Sequence, residues 1–366
     1  MATIYPFSIY TSKGKVYPSS GGGESLIVDL SWLGWEPELI KNQIDSVNKI
    51  VENKTLDIPA YDNGSGLMNL LYMLPDLSML DLSKWNTNPL NLSNQRYMSF
   101  KDNTLTVDFS KINSIKESSF YSLYNLESIQ FIGKAKVLQS EEDKQLGRAK
   151  LTNLFSNCYN LTSITGLDLT DYAHIYAENM FINCHHLREL NISISKPYES
   201  VSHMFNYCYE LEEIHIQTID MSDVANAESL FDGCRNLHTF PTLTNMDNVQ
   251  RISYMFRDCN GGSWEWNPSE HPYQGTVDVE ISFAQNANVE NCLWNSYVIH
   301  SVTINTTNMP EGNNFVNMWD DINWLSQLKI YVPASVVTAW IELIKSSAPD
   351  EEKQAIVDNM VEAIQN

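Results

Sequence analysis

A chain of 366 residues with a formal charge of −22 is poorly suited to unaided binding of nucleic acid or anionic membranes, which rely on basic patches. Hydrophobic residues make up 43% of it and aromatic residues 11%, which excludes a disordered chain. The length exceeds what one compact core usually serves, although a repeat array extends its core along an axis.

The opening residues, Met1 to Tyr10, lack a basic segment followed by an unbroken apolar run, so they do not read as a secretory signal. No stretch approaches the roughly 18 apolar residues of a membrane span. The expected location is a virion or the cytoplasm, unless a leader has been removed. Lys13-Gly14, between Ile9 and Val16, suggests a hairpin. Ser19 to Gly23 reads as a flexible joint. Residues 1–18 are therefore expected as an arm whose Ile4, Tyr5, Phe7, Ile9 and Tyr10 dock on a partner or sister subunit. Leu26 to Leu33 suggests a strand. A helix from about Pro37 to Val51 would put Ile40, Ile44, Val47 and Val51 on one face. Together, residues 24–60 read as an N-terminal cap.

From residue 61 a repeat begins. Leu67, Leu70, Leu71, Leu74, Leu77, Leu80 and Leu82 form a first coil, a poorly matched one lies near Tyr97 to Phe109, and Phe120, Leu123, Leu126, Ile129 and Phe131 form another. The clearest copies follow, with Phe155, Phe181, Phe205, Phe231 and Phe256 separated by 24 to 26 residues. A period in the twenties marks a solenoid of leucine-rich type. Four residues before each Phe stand Leu151, Ala177, Val201, Ala227 and Ile252; just before it stand Leu154, Met180, Met204, Leu230 and Met255. Three residues after it come Cys158, Cys184, Cys208, Cys234 and Cys259. Those offsets fit one face of a short helix. Leu161, Leu187, Leu211 and Leu237, then Ile164, Leu190, Ile214 and Phe240, begin a strand rhythm. Each repeat is thus expected to be a helical turn, a bend and a strand, and the fold an α/β leucine-rich-repeat solenoid of roughly ten coils over residues 61–332.

These Met-Phe-x-x-Cys-x-x-Leu units resemble the BspA-like leucine-rich repeats of surface proteins from gut and oral Bacteroidetes. The segment Leu328 to Trp340 resembles the one that closes many such arrays. The resemblance implies adhesion or protein binding rather than one reaction.

Two insertions interrupt the array, near residues 133–147 and 260–275. The second separates Phe256 from Leu293 and carries Trp264, Trp266, His271 and Tyr273. Solenoid insertions loop out on one face, so these four are candidate binding residues for a sugar or an apolar partner. Val277, Val279 and Ile281 read as the displaced strand; later coils comprise Val289 to Ile304 and Phe315 to Ile330. Residues 333–366 read as a helical cap, with Val336, Val337, Trp340, Ile341 and Ile344 lining one helix. A second helix is expected to start at Ser347 and carry Ile356, Val357, Met360 and Ile364 on its stripe.

The six cysteines are expected as free, buried thiols: five stand in one column, point the same way and cannot aim at each other. No Cys/His spacing suggests a metal. His185-His186 reads as an exposed variable pair, and Asp168, Asp171, Asp220, Asp223 and Asp247 as turn formers. No catalytic motif appears, and neither enzyme nor cofactor is expected. On the outward strand positions, Arg188 is expected to pair with Glu212 or Glu213; with His215 and His238 these residues form a second candidate binding face. The reading is a non-enzymatic protein-interaction or adhesion module that meets a protein or glycan surface. Its alternative is a structural or receptor-binding virion component of a bacteriophage infecting Bacteroidetes, contacting other virion proteins or sister subunits. Neither reading includes nucleic-acid binding or membrane insertion.

Overall fold

The computed structural model describes residues 7–11, 14–15, 26–29, 104–110, 114–259, 277–312, 314–317 and 322–365. The Phe-centred stretch builds a ladder of backbone bonds that no helix would make. The amides of Asn153, Phe155 and Asn157 donate across to the carbonyls of Glu178, Met180 and Ile182 in the next coil. Asn179, Phe181 and Asn183 repeat this to Ser202, Met204 and Asn206. The intervening amides close local turns, such as Leu154 to Leu151 and Cys158 to Phe155. The residues two before and two after each Phe are left-handed, with φ 58° at Asn153, 63° at Asn157, 55° at Asn179 and 61° at Asn183. Asparagine tolerates that region better than most residues. The expected helical turn is therefore a chain of β-turns, because left-handed residues break the helix while leaving the same positions inward. The solenoid itself stands.

Its interior is a column of rings. Phe120, Phe155, Phe181, Phe205, Phe231 and Phe256 are fully buried or nearly so. Successive rings lie 5.2–5.8 Å apart and within 15° of parallel. Burying each ring is worth about 1.5–3 kcal/mol, and offset stacking adds roughly 0.5–1.5 kcal/mol per pair. All six cysteines are buried and free. They are more than small hydrophobes, however. The thiols of Cys158, Cys184, Cys208, Cys234 and Cys259 donate to the carbonyls of Phe120, Phe155, Phe181, Phe205 and Phe231, at 3.0–3.3 Å. In the coil of Leu293 the same column holds Ser296, whose hydroxyl donates to Phe256. Burial pushes the Cys158 thiol up to about 12.

Two strand faces flank the turns. The first is a parallel sheet of Thr104–Asp108, Ser128–Ile132, Ser163–Asp168, Glu189–Ser193 and Glu213–Ile214, in that spatial order. Leu105, Ile129, Ile164, Leu190 and Ile214 lie in register and point inward. Gly166 is an extra residue in its strand, with φ 76°; a Cβ there would lie 2.3 Å from the carbonyl oxygen of Phe131. The second face, unforeseen from the sequence, starts with Arg148–Lys150, His174–Tyr176 and Lys196–Pro197, also parallel. It continues through Glu199–Ser200 and Val224–Asn226, then through single bridges from Asn226 to Arg251, Asn288 and Glu311.

About eight turns fall within this architecture; the expected coils at residues 61–103 lie outside the described residues. The insertion near 133–147 holds a short helix, Glu141–Gln145, capped by the Ser140 side chain. Val277–Ile281, the expected displaced strand, pairs with Ile299–Ile304, which pairs with Lys329–Val332. Trp340 of the helix Val337–Lys345 turns its ring edge-on to Phe283 and Phe315 and closes this end of the core. The following helix, Glu351–Met360, is capped by Asp350 rather than Ser347, because the Ser347 hydroxyl donates back to Ile344. It also stops before Ile364: Val361–Ala363 extends the sheet as a fourth strand beside Lys329–Val332.

Near the start, Phe7–Thr11 pairs antiparallel with Gly14–Lys15, a hairpin in which Gly14 stands in the strand rather than in the expected turn, and parallel with Leu26–Asp29. The backbone of the expected arm is therefore bonded to chain beyond the glycine joint. The helix expected at 37–51 lies outside the described residues.

Candidate functional site

Outside the core, the position four residues after Phe120, Phe155, Phe181, Phe205 and Phe231 builds a second column, also absent from the sequence reading. Tyr124, Tyr159, His185 and Tyr209 stack 4.8–5.0 Å apart, and the Arg235 guanidinium covers Tyr209 at 4.5 Å. Ring-on-ring and cation–π contact fixes these side chains on the outer bend. His185 and His186 are thus not equivalent: His185 belongs to the stack, and burial with the neighbouring His186 holds its pKa below the ordinary range.

Beside the stack lies a cleft of about 470 Å³ whose walls include His185, His186, Arg188, Glu210, Glu212 and Arg235. Glu210 organises it. Its carboxylate accepts from Arg188 Nε at 2.8 Å and from His186 Nδ1 at 2.7 Å, and lies 2.7 Å from Arg188 Nη2. Partial burial pushes the Glu210 pKa up, but His186 and Arg188 together hold it below the ordinary range. Arg188 points outward as expected. Its partner, though, is Glu210 rather than Glu212 or Glu213, because the half-buried Glu210 offers a bidentate site with less water competition.

That correction leaves carboxylates unmatched on the sheet. Glu189 and Glu213 are register partners on adjacent strands, both are exposed, and neither forms an ion pair among the described residues. Like charges directly opposite each other destabilise a sheet. Glu212 lines the cleft beside them. His215 and His238 are exposed nearby, outside the cleft's lining. The other candidates, Trp264, Trp266, His271 and Tyr273, lie outside the described residues.

The aspartates make the turns their positions suggested in two cases. Asp168 accepts from the Thr170 amide and Asp220 from the Ser222 amide. Asp171 instead meets Lys134, Asp223 meets Lys196 and His174, and Asp247 accepts from Ser282. Among the described residues, no group of three or more His, Cys, Asp or Glu is placed to hold a metal ion. No described helix is long and apolar enough to cross a membrane.

The stacked column could have been found by reading down the repeats at the position after Cys, where aromatic residues dominate. Comparison with known families agrees with the geometry. The model of the BspA type leucine rich repeat region matches residues 80–142 and 151–262, in six copies. No curated protein and no solved structure matches the chain. The period, the stacked phenylalanines and this match identify residues 80–142 and 151–262 as a BspA-type leucine-rich repeat region.

Proposed function

We propose that this chain is a non-enzymatic interaction module that recognises a basic segment of a protein partner. Contact is made on the outward face of strands Glu189–Ser193 and Glu213–Ile214 and in the adjoining cleft. The repeat family suggests protein interaction in general. The observation that carries the finer reading is the exposed, in-register pair Glu189 and Glu213, which costs stability and has no cation paired to it among the described residues. A Lys or Arg from a partner removes that repulsion on binding. Glu212 extends the acidic strip, while Glu210 holds Arg188 and His186 in place, so the cleft is preorganised before a partner arrives.

The test is calorimetric titration of the full chain with lysine- and arginine-rich peptides and with acidic controls. Binding should appear for the basic peptides alone, weaken with salt, and fall about tenfold in the double variant Glu189→Gln, Glu213→Gln. Equal binding by that variant, or a preference for acidic peptides, contradicts the reading.

A further inference from the structure

The second strand face gathers basic side chains, in a chain of net charge −22. Arg148, His174 and Lys196 are register partners across three parallel strands. Strand spacing places such a row over roughly 10 Å. Tyr176 and Tyr198 stand among them, edge to face at 5.4 Å, and His174 meets Tyr198 in the same way. The Arg148 guanidinium lies over Tyr198 at 4.0 Å, and Lys150 lies near Tyr176.

Arg148, Lys150 and Lys196 share this patch with the carboxylates Asp143, Asp223 and Glu199, but the charges do not all pair. Asp223 takes up one end, with Lys196 Nζ at 2.6 Å and His174 Nε2 at 3.0 Å. Asp143 takes Lys150 at 3.1 Å. Arg148 pairs with no carboxylate among the described residues. Its Nε and the Nδ1 of His174 are buried without hydrogen-bond partners. The Tyr198 ring, rather than an acid, holds the guanidinium flat, which leaves its Nη edge to an incoming anion. Arg binds planar anions through that edge.

We propose that the row Arg148–His174–Lys196, with Tyr176 and Tyr198, binds the anionic group of an acidic polysaccharide, a uronate carboxylate or a sulfate ester. The anion takes the Arg148 end. Sugar hydroxyls then meet the tyrosine hydroxyls and Asp223, an acceptor that bare polyanion sites lack. An extended nucleic acid fits worse. The Arg148 guanidinium lies over Tyr198 and Tyr176 meets that ring edge to face, so this ring is not free on that side for a base to stack on. This site lies on a different strand face from the acidic strip and stands or falls independently of it.

The test is affinity electrophoresis of the full chain through gels holding heparin, polygalacturonate or dextran, with polyglutamate and single-stranded DNA as further arms. Retardation by heparin alone assigns sulfate, and retardation by polygalacturonate assigns carboxylate. Either supports the proposal if dextran, polyglutamate and DNA do not retard the chain. Arg148→Gln should weaken retention by about tenfold, and Lys196→Gln should weaken it less, because Asp223 already engages Lys196. If Arg148→Gln melts early, Lys150→Gln, on an exposed side chain at the row's edge, takes its place. Retention unchanged in all these variants, absent from both acidic polysaccharides, or equal on polyglutamate or DNA overturns the assignment.

Discussion

The turn side and the strand faces of this solenoid obey different rules. On the turn side, coil after coil repeats one set of bonds: the amide ladder, a stacked Phe, and a thiol on the preceding Phe carbonyl. The strand faces repeat their register, while most of their outward side chains vary from coil to coil. The first face gathers unmatched carboxylates and the second a row of basic side chains. Stacking explains the contrast. An inward residue must suit two neighbouring coils at once, whereas an outward one meets water and is left to function.

The largest effect is expected where the repeated bonds converge. Phe205→Ala removes a ring between Phe181 and Phe231 and should cost about 3–5 kcal/mol in denaturant unfolding. Glu212→Ala, on the outward face, should stay within about 0.5 kcal/mol. Gly166→Ala should cost on the order of 2 kcal/mol, since its Cβ meets the Phe131 carbonyl at 2.3 Å in a left-handed backbone. A near-neutral result in a melting series would show that the bulge is not built as described.

The thiol column gives a finer contrast. Cys208→Ala should cost about 1–2 kcal/mol, and Cys208→Ser less, because a hydroxyl can make the same bond, as Ser296 does. If serine is the worse replacement, the bond contributes nothing. Native protein should also resist thiol reagents and release six thiols on denaturation.

Acidity probes the last coils of the ladder. Asp232 is buried against Arg257, with Arg257 Nε 2.8 Å from Oδ1. Burial outweighs the guanidinium and raises its carboxyl from 3.8 to about 6. Folded protein thus keeps this proton where unfolded chain has lost it. The resulting stability is fully present below about pH 4 and lost as the pH rises through about 6. Comparing unfolding of wild type and Asp232→Asn across that window should show the slope in the wild type alone. A small effect is likewise expected for the exposed Arg188→Ala, below about 1 kcal/mol by chemical denaturation.

The inward columns were legible in the sequence because burial demands apolar residues at fixed offsets. Helix and turn could not be separated that way, since offsets of −4, −1, 0 and +3 satisfy both. The discriminating signal was the asparagine at Asn153, Asn157, Asn179 and Asn183, which marks left-handed backbone. Arg188 and Glu212 of the candidate face do line the cleft. Glu210, the residue that organises it, was hidden because it sits on the bend, outside the strand rhythm. The second face was illegible for another reason: its strands are two or three residues long near the insertion, too short for a period to show.

Amide hydrogen exchange of the full chain, with and without a lysine- and arginine-rich peptide, tests the division of labour most directly. The amides of Phe155, Phe181 and Phe205, which carry the coil-to-coil ladder, should exchange slowest and be unchanged by peptide. Those of Glu189–Ser193 and Glu213–Ile214 should gain protection when it binds. Protection gained on the turn side instead, or fast exchange at the three phenylalanines, would contradict the account.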